Sequence, residues 1–241
     1  MMDCRQFDFH IFDLDDTLIN TRHSYKKAQE IAVRKTFPEV SPNQINQTLP
    51  VLRWICRQFG SGNVLGYMRA FLQSETEFLP QRKDNLDKLI NFYQSSFNSE
   101  LVCFEGASEY IQNLKSAGLK IALVSNGYWE SQLAKLNHVG LDSFFVENLI
   151  YISENFPPLL KKPDPHMIRE ACKEADVSHE KSIFYGNSSD DILAGNLAGV
   201  TTAHFYGSTR LPEETPAIAK PDFIFEKWSD LNAAFGSERS V

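Results

Sequence analysis

From Cys103 onward, short β-type runs and amphipathic helical runs follow one another in strict turn, and no other feature limits the fold so closely. The order is helix "GASEYIQNLKSAG", strand "LKIALVSNG", helix "YWESQLAKLNHVG", strand "FFVENLIYIS", helix "DPHMIREACKEA", strand "KSIFYGN", helix "SDDILAGNLAG" and strand "VTTAHFYG". A short strand "DFIF" and a helix "WSDLNAAF" close the series. Alternation of this kind implies right-handed βαβ crossovers and a parallel sheet. A first strand is read in "FDFHIF", Phe7 to Phe12, rich in aromatic and β-branched residues. The expected class is α/β, a Rossmann-like parallel sheet with helices on both faces.

Between that first strand and the alternating part, the period changes. "SYKKAQEIAVRKTF", "PNQINQTLPVLRWICRQF", "NVLGYMRAFLQSETEF" and "RKDNLDKLINFYQSSF" all carry helical spacing, punctuated by Gly60, Gly62 and Pro80. Helices with no strand between them point to a separate α-helical domain at 21–100, inserted into a core of 1–20 and 101–241. Its aromatic residues Trp54, Phe59, Tyr67, Phe71, Phe92 and Tyr93 are expected to form mostly its own core, while Arg53, Arg57 and Arg69 receive no role. "TRLPEETPAIAKPD" reads as a surface connection without chemistry.

Length and composition exclude several classes. A chain of 241 residues, 42% hydrophobic and 23% charged, can bury a substantial interior. A formal charge of −7 with no basic tract argues against a nucleic acid polymer as partner. Cys4, Cys56, Cys103 and Cys172 lie far apart, so core thiols are expected rather than zinc ligands or a disulfide scaffold. His10, His138, His166, His179 and His204 show no ligand spacing to one another. No apolar run of about eighteen residues is present, and "MMDCRQFDFH" has no signal-like apolar stretch. A cytoplasmic protein without a membrane partner, monomeric or homodimeric, is the expectation.

In an open parallel sheet, ligands gather beyond the carboxyl ends of the strands. Four such places carry polar groups: Asp13, Asp15 and Thr17; Ser125, Asn126 and Gly127; Lys161 and Lys162; Gly186, Asn187, Asp190 and Asp191. Carboxylates crowded at one edge repel unless a cation joins them, and an all-oxygen set suits Mg²⁺. An ammonium, a hydroxyl and backbone N–H groups opposite that metal make a receptacle for a phosphate dianion. A central Asp can then act as nucleophile on phosphorus. Taken singly, each place has a plainer reading: turn formers or helix caps for Asp16 and Asp190, a turn for Ser125 to Gly127, a solvated loop lysine for Lys162. Their joint occurrence favours chemistry.

"DLDDT", "SNG", "KKPDP" and "GNSSDD" resemble, in order, the four motifs of the haloacid dehalogenase-like hydrolase superfamily, and the helical insert is similar to that superfamily's mobile α-helical cap. The resemblance implies a Mg²⁺-dependent phosphatase with Asp13 as nucleophile and metal ligand. Asp15 would be acid and then base, its carbonyl on the metal. Ser125, Asn126 and Gly127 would hold the phosphoryl oxygens, and Lys162 would neutralise nucleophile and phosphate. Asn187 and Asp191 would complete the metal site. Asn187 departs from the commonest pattern, which has an aspartate after the glycine, and so brings a carbonyl oxygen without charge. The implied substrate is a small phosphorylated metabolite, a nucleoside monophosphate or sugar phosphate, because the "SNGYWESQLAKLNHVGLDSFF" region is similar to nucleotidase-like members. A 2-haloacid dehalogenase, a phosphomutase and a ligand-binding member without turnover are the alternatives. Asp15 argues against the dehalogenase, whose reaction produces no alkoxide to protonate.

Overall fold

The computed structural model describes residues 4–59, 62–75, 79–80, 84–212 and 215–236. The chain divides into two compact units, Met1–Asn20 with Val102–Val241, and Thr21–Leu101.

In the first unit the strands β1 (Phe9–Phe12), β2 (Lys120–Ser125), β3 (Ile150–Ile152), β4 (Ser182–Gly186), β5 (Thr201–Phe205) and β6 (Phe223–Phe225) form one sheet in the order β3-β2-β1-β4-β5-β6. Every pairing is parallel. All four residues of β1 are buried, which is why it reads as a continuous apolar run rather than an alternating one. Phe12 lies level with Leu123 on one side and Tyr185 on the other, so the residues after β1 emerge where the strand order reverses. That reversal is where ligands bind in sheets of this topology.

The period of two sorts β1 between two layers. Phe9 and Ile11 pack with Val124 and Phe184 against Met167, Ile168 and Ala171 of α7 (His166–Ala175) and Ala194 of α8 (Ser189–Ala198). Phe12 faces the opposite layer, where its ring lies 4.9 Å from Tyr185 and 6.0 Å from Trp228. Trp228 opens α9 (Trp228–Gly236) and lies 5.4 Å from Tyr110 of α5 (Ala107–Ser116). His10 shares that layer, fully buried, with Nδ1 3.0 Å from the Tyr185 hydroxyl. Burial drives its pKa down to about 3, so the ring is neutral.

The stretch expected as one strand, "FFVENLIYIS", is a strand only at Ile150–Ile152. Asp142–Phe144 and Glu147–Leu149 are single 3₁₀ turns, the second closed by Leu149 N–H donating to Val146 O at 2.9 Å. Glu147 and Asn148 favour a turn, and β3 lies at the sheet edge, where short strands are usual.

The second unit consists, among the described residues, of α1 (Thr21–Thr36), α2 (Pro42–Phe59), α3 (Val64–Ser74) and α4 (Asn85–Ser99). Ala32, Val33, Leu52, Tyr67, Phe71 and Leu89 are in its core. Tyr25 and Phe97 pack α1 on α4 with tilted rings, their centroids 4.7 Å apart. Asn63 caps α3, accepting from Gly66 N–H at 3.0 Å. Tyr67, Phe71 and Tyr93 are buried, but Trp54 and Phe59 are 57% and 46% exposed, so these two do not belong to the core expected for them. Cys4, Cys56 and Cys172 are buried free thiols, and Cys103 is half-buried. Among the described residues no helix is long and apolar enough to cross a membrane.

Candidate active site

Asp13 follows β1 directly, and its N–H still donates to Tyr185 O at 2.9 Å, so the carboxylate is fixed by the sheet itself. The next residues fold back tightly: the N–H groups of Leu18 and Ile19 both donate to Leu14 O, and Asp16 N–H donates to Ile19 O at 2.7 Å. Asp16 takes a φ of 60°, a left-handed conformation that Asp tolerates better than most residues, in keeping with a turn former. This loop turns the Thr17 hydroxyl onto Asp13 Oδ2 at 2.8 Å. Trp228 Nε1–H anchors it by donating to Thr17 O at 3.2 Å.

Lys162 comes from the loop before α7, and it is buried while Lys161 is exposed. Its Nζ donates to Asp13 Oδ1 at 2.6 Å, Asp191 Oδ1 at 2.7 Å and Val124 O at 2.9 Å, which uses all three ammonium protons. A reciprocal amide pair places it: Lys162 N–H donates to Asn126 Oδ1 at 3.0 Å, and Asn126 Nδ2 donates to Lys162 O at 2.9 Å. The side chain of Asn126 therefore orders the lysine loop, a role that a reading of its N–H alone does not reveal.

Two buried carboxylates share one ammonium, so with both ionised this cluster carries one negative charge in excess. Burial pushes the Asp13 carboxyl up to about 7 against the opposing pull of Lys162, and the charges of Asp191 and Asp15 push the same way. Burial alone would lower the Lys162 ammonium; Asp13 and Asp191 outweigh it and hold its pKa above the ordinary lysine range.

Asp191 lies in the first turn of α8, where Ser188 is the N-cap. Its Oδ2 accepts from Ser188 N at 3.0 Å, Ser188 Oγ at 2.6 Å and Asn187 N at 3.2 Å, a capping box in which its second oxygen faces Lys162. Asp190 beside it is exposed. Asn187 Nδ2 donates to Thr209 Oγ1 at 3.0 Å, which directs its Oδ1 to the Thr17 hydroxyl at 3.3 Å. Gly186 must lack a side chain, because a Cβ there would come within 2.3 Å of Asp191 Cβ.

At the end of β2, Ser125 is buried and its Oγ accepts from Gln132 Nε2 at 3.1 Å. Gly127 N–H donates to Ser153 Oγ at 3.0 Å. Gln132, in α6 (Trp129–His138), also donates to Asp15 Oδ2 at 2.9 Å. Lys135 Nζ reaches both Asp15 oxygens, at 2.7 and 2.8 Å. Neither Gln132 nor Lys135 lies in any of the four sequence motifs. The available signal was two polar residues three apart on an amphipathic helix, which share a face.

For a cation, Asp13 Oδ2 and Asn187 Oδ1 converge on the Thr17 hydroxyl as hard oxygen donors beside an uncompensated negative charge, a chemistry that fits Mg²⁺. Among the described residues no three His, Cys, Asp or Glu side chains gather into a set that would hold a metal by themselves, so the amide and backbone oxygens are needed.

Residues 10–205 match the family model described as haloacid dehalogenase-like hydrolase. The pyrophosphatase PpaX of Listeria monocytogenes serotype 4b is 29% identical over 231 residues, covering 95% of this chain and 96% of that protein. PpaX of Bacillus pumilus is 25% identical over 233 residues, 95% and 96% of the two chains. Among solved structures, the HAD-hydrolase YfnB of Bacillus subtilis, bound to magnesium, is similar with a TM-score of 0.65 at 22% identity, covering 95% of this chain and 98% of its own. A HAD family hydrolase of Deinococcus radiodurans, with bound phosphate and sodium, gives 0.67 at 21% identity, covering 96% of each chain.

Proposed function

This chain belongs to the haloacid dehalogenase-like hydrolase family, and from that premise we propose that it is a Mg²⁺-dependent phosphatase that works through an aspartyl-phosphate on Asp13. The observation that carries the reading is the buried Asp13–Lys162–Asp191 cluster with its excess negative charge, set at the reversal of the strand order. Such a cluster costs folding energy unless a cation and a substrate complete it.

Asp13 would attack phosphorus while Ser125 Oγ and the N–H of Asn126 hold the phosphoryl oxygens and Lys162 neutralises their charge; the Gly127 N–H is already given to Ser153 Oγ, so Gly127 would serve by shape. Asp15 would protonate the departing oxygen and later take a proton from the hydrolytic water. Asp13 Oδ2, Asn187 Oδ1 and the Asp15 carbonyl, with Asp191 adding charge beside them, would hold Mg²⁺, which when bound neutralises phosphate charge. The substrate class is a small phosphate monoester, a nucleoside monophosphate or sugar phosphate, and the PpaX relatives add inorganic pyrophosphate to the candidates.

The test is phosphate release from pyrophosphate, nucleoside monophosphates and sugar phosphates, with and without Mg²⁺, by the wild type and Asp13→Asn. Mg²⁺-dependent release that is lost in the variant supports the proposal. Halide release from a 2-haloacid without metal, with no phosphate release from any compound, would replace it by the dehalogenase reading.

A further inference from the structure

Two side chains of α6 hold a carboxylate outside their own segment. Lys135 Nζ forks onto both oxygens of Asp15 at 2.7 and 2.8 Å, and Gln132 Nε2 adds a third hydrogen bond, to Oδ2 at 2.9 Å. Both are buried, whereas the Asp15 side chain remains 32% exposed. A buried lysine is unusual unless paired, and here the pairing is to a carboxylate that solvent and a ligand can still reach. The Gln132 amide also lies 3.1 Å from Ser125 Oγ and 3.1 Å from Asn126 O, so one group spans from Asp15 to the end of β2. Gly127 makes room for it: a Cβ at that position would meet Gln132 Nε2 at 2.5 Å.

We infer that Lys135 and Gln132 are positioning residues that fix the Asp15 carboxyl relative to the phosphoryl-holding end of β2. The inference rests on the phosphatase reading. In the first step an Asp13 oxygen bonds to phosphorus, the ester P–O bond breaks with its electron pair going to the leaving oxygen, and Asp15, having taken up a proton from solvent on one oxygen and given up one of its contacts to Lys135, passes that proton to the leaving oxygen. In the second, a water oxygen bonds to phosphorus, its proton goes to Asp15, and the bond from phosphorus to Asp13 breaks to restore the carboxylate. Asp15 serves both steps from one place, and a displacement of about 1 Å is enough to cost roughly 100-fold in rate.

The experiment uses p-nitrophenyl phosphate with saturating Mg²⁺, whose leaving group needs no proton, beside an alkyl phosphate, which needs one. Wild type, Asp13→Asn, Lys135→Met, Lys135→Arg and Gln132→Leu are compared by steady-state and rapid-mixing kinetics. Lys135→Met is expected to give a burst of one p-nitrophenol per enzyme followed by a steady rate about 100-fold below wild type. Its alkyl phosphate turnover should fall further, and KM for p-nitrophenyl phosphate should fall together with kcat, because breakdown of the phospho-enzyme now limits the rate. Lys135→Arg should restore most of the rate, and Gln132→Leu should share the burst. An equal fall on both phosphates without a burst, with no rescue by Arg, would mean a merely structural role and overturn the inference. A wild type with no Mg²⁺-dependent release would instead sink the phosphatase reading, and the inference with it; the Asp13→Asn control separates the two failures.

Discussion

Lys162 decides the electrostatics of the site at the scale of single residues. Its ammonium compensates two buried carboxylates at 2.6 and 2.7 Å, so Lys162→Met leaves Asp13 and Asp191 facing each other without a cation. Breaking a buried pair by removing one partner costs about 3–5 kcal/mol. Urea unfolding of the metal-free variant should show a loss of that size near neutral pH and a smaller one in acid, where Asp13 can take a proton. An equal loss at both pH values would mean that the packing of the lysine stem, not its charge, is what matters. Gly127→Ala tests the other end. The Cβ would meet the buried Gln132 amide at 2.5 Å, and the φ of 159° is one that residues with a side chain rarely adopt, so some stability should be lost as well. Turnover should fall more than the loss of stability explains, as Gln132 swings away from Asp15, measured as kcat at a temperature well below the variant's own melting temperature.

At the scale of elements, the site is built from strand ends and the helices that follow them, and their contacts give a second set of expectations. α9 reaches the loop after β1 through Trp228, fully buried among Phe12, Tyr110, Tyr185 and Phe225 and bonded to Thr17 O. Trp228→Ala removes both the ring and the bond, and large-to-small changes of this kind cost about 3–5 kcal/mol. Trp228→Phe keeps most of the packing and should cost less, while still freeing the Thr17 carbonyl. Thermal melts of both variants check the order, and similar losses in the two would place the cost in the lost bond. The turn from β4 to α8 is tight because of Gly186. Gly186→Ala drives a methyl into Asp191 Cβ, so this variant should lose both stability and activity.

At the scale of the whole molecule, two buried groups give opposite pH dependences. His10 has its pKa lowered from 6.5 to about 3, so its contribution to stability is complete above pH 6.5 and is lost as pH falls towards 3, by up to about 1.4 kcal/mol per unit. Asp13 has its pKa raised from 3.8 to about 7, so its contribution is complete below about pH 4 and is lost as pH rises through 7. Between pH 4 and 6.5 the two oppose each other, and the metal-free wild type should be nearly flat there. His10→Gln should then lose stability as pH rises across that window, and Asp13→Asn should gain it. Urea unfolding at three pH values in the window distinguishes these slopes, and a common slope for all three proteins would rule out the opposition. In the proposed site Mg²⁺ would compete with a proton for Asp13, so added Mg²⁺ should stabilise the fold more at pH 7.5 than at pH 5.

The parallel α/β class follows from local periodicity, which the sequence carries residue by residue: the apolar run of β1 and the strand–helix alternation after Cys103. The grouping of Asp13, Asp15 and Thr17 is equally local, since four residues of tight loop bring Thr17 back onto Asp13. The edge was harder to read from sequence. Phe144 to Ile152 has strand-like composition, yet the turn at Glu147 and Asn148 leaves only three residues to pair. Tertiary structure decided which side chains meet across the sheet. Lys162 reaches Asp13 across 149 positions and Lys135 reaches Asp15 across 120, and neither separation has a period to betray it. Strand order and parallel register set those meetings, and both are fixed by burial of the sheet's two faces over the whole chain, not by any segment alone.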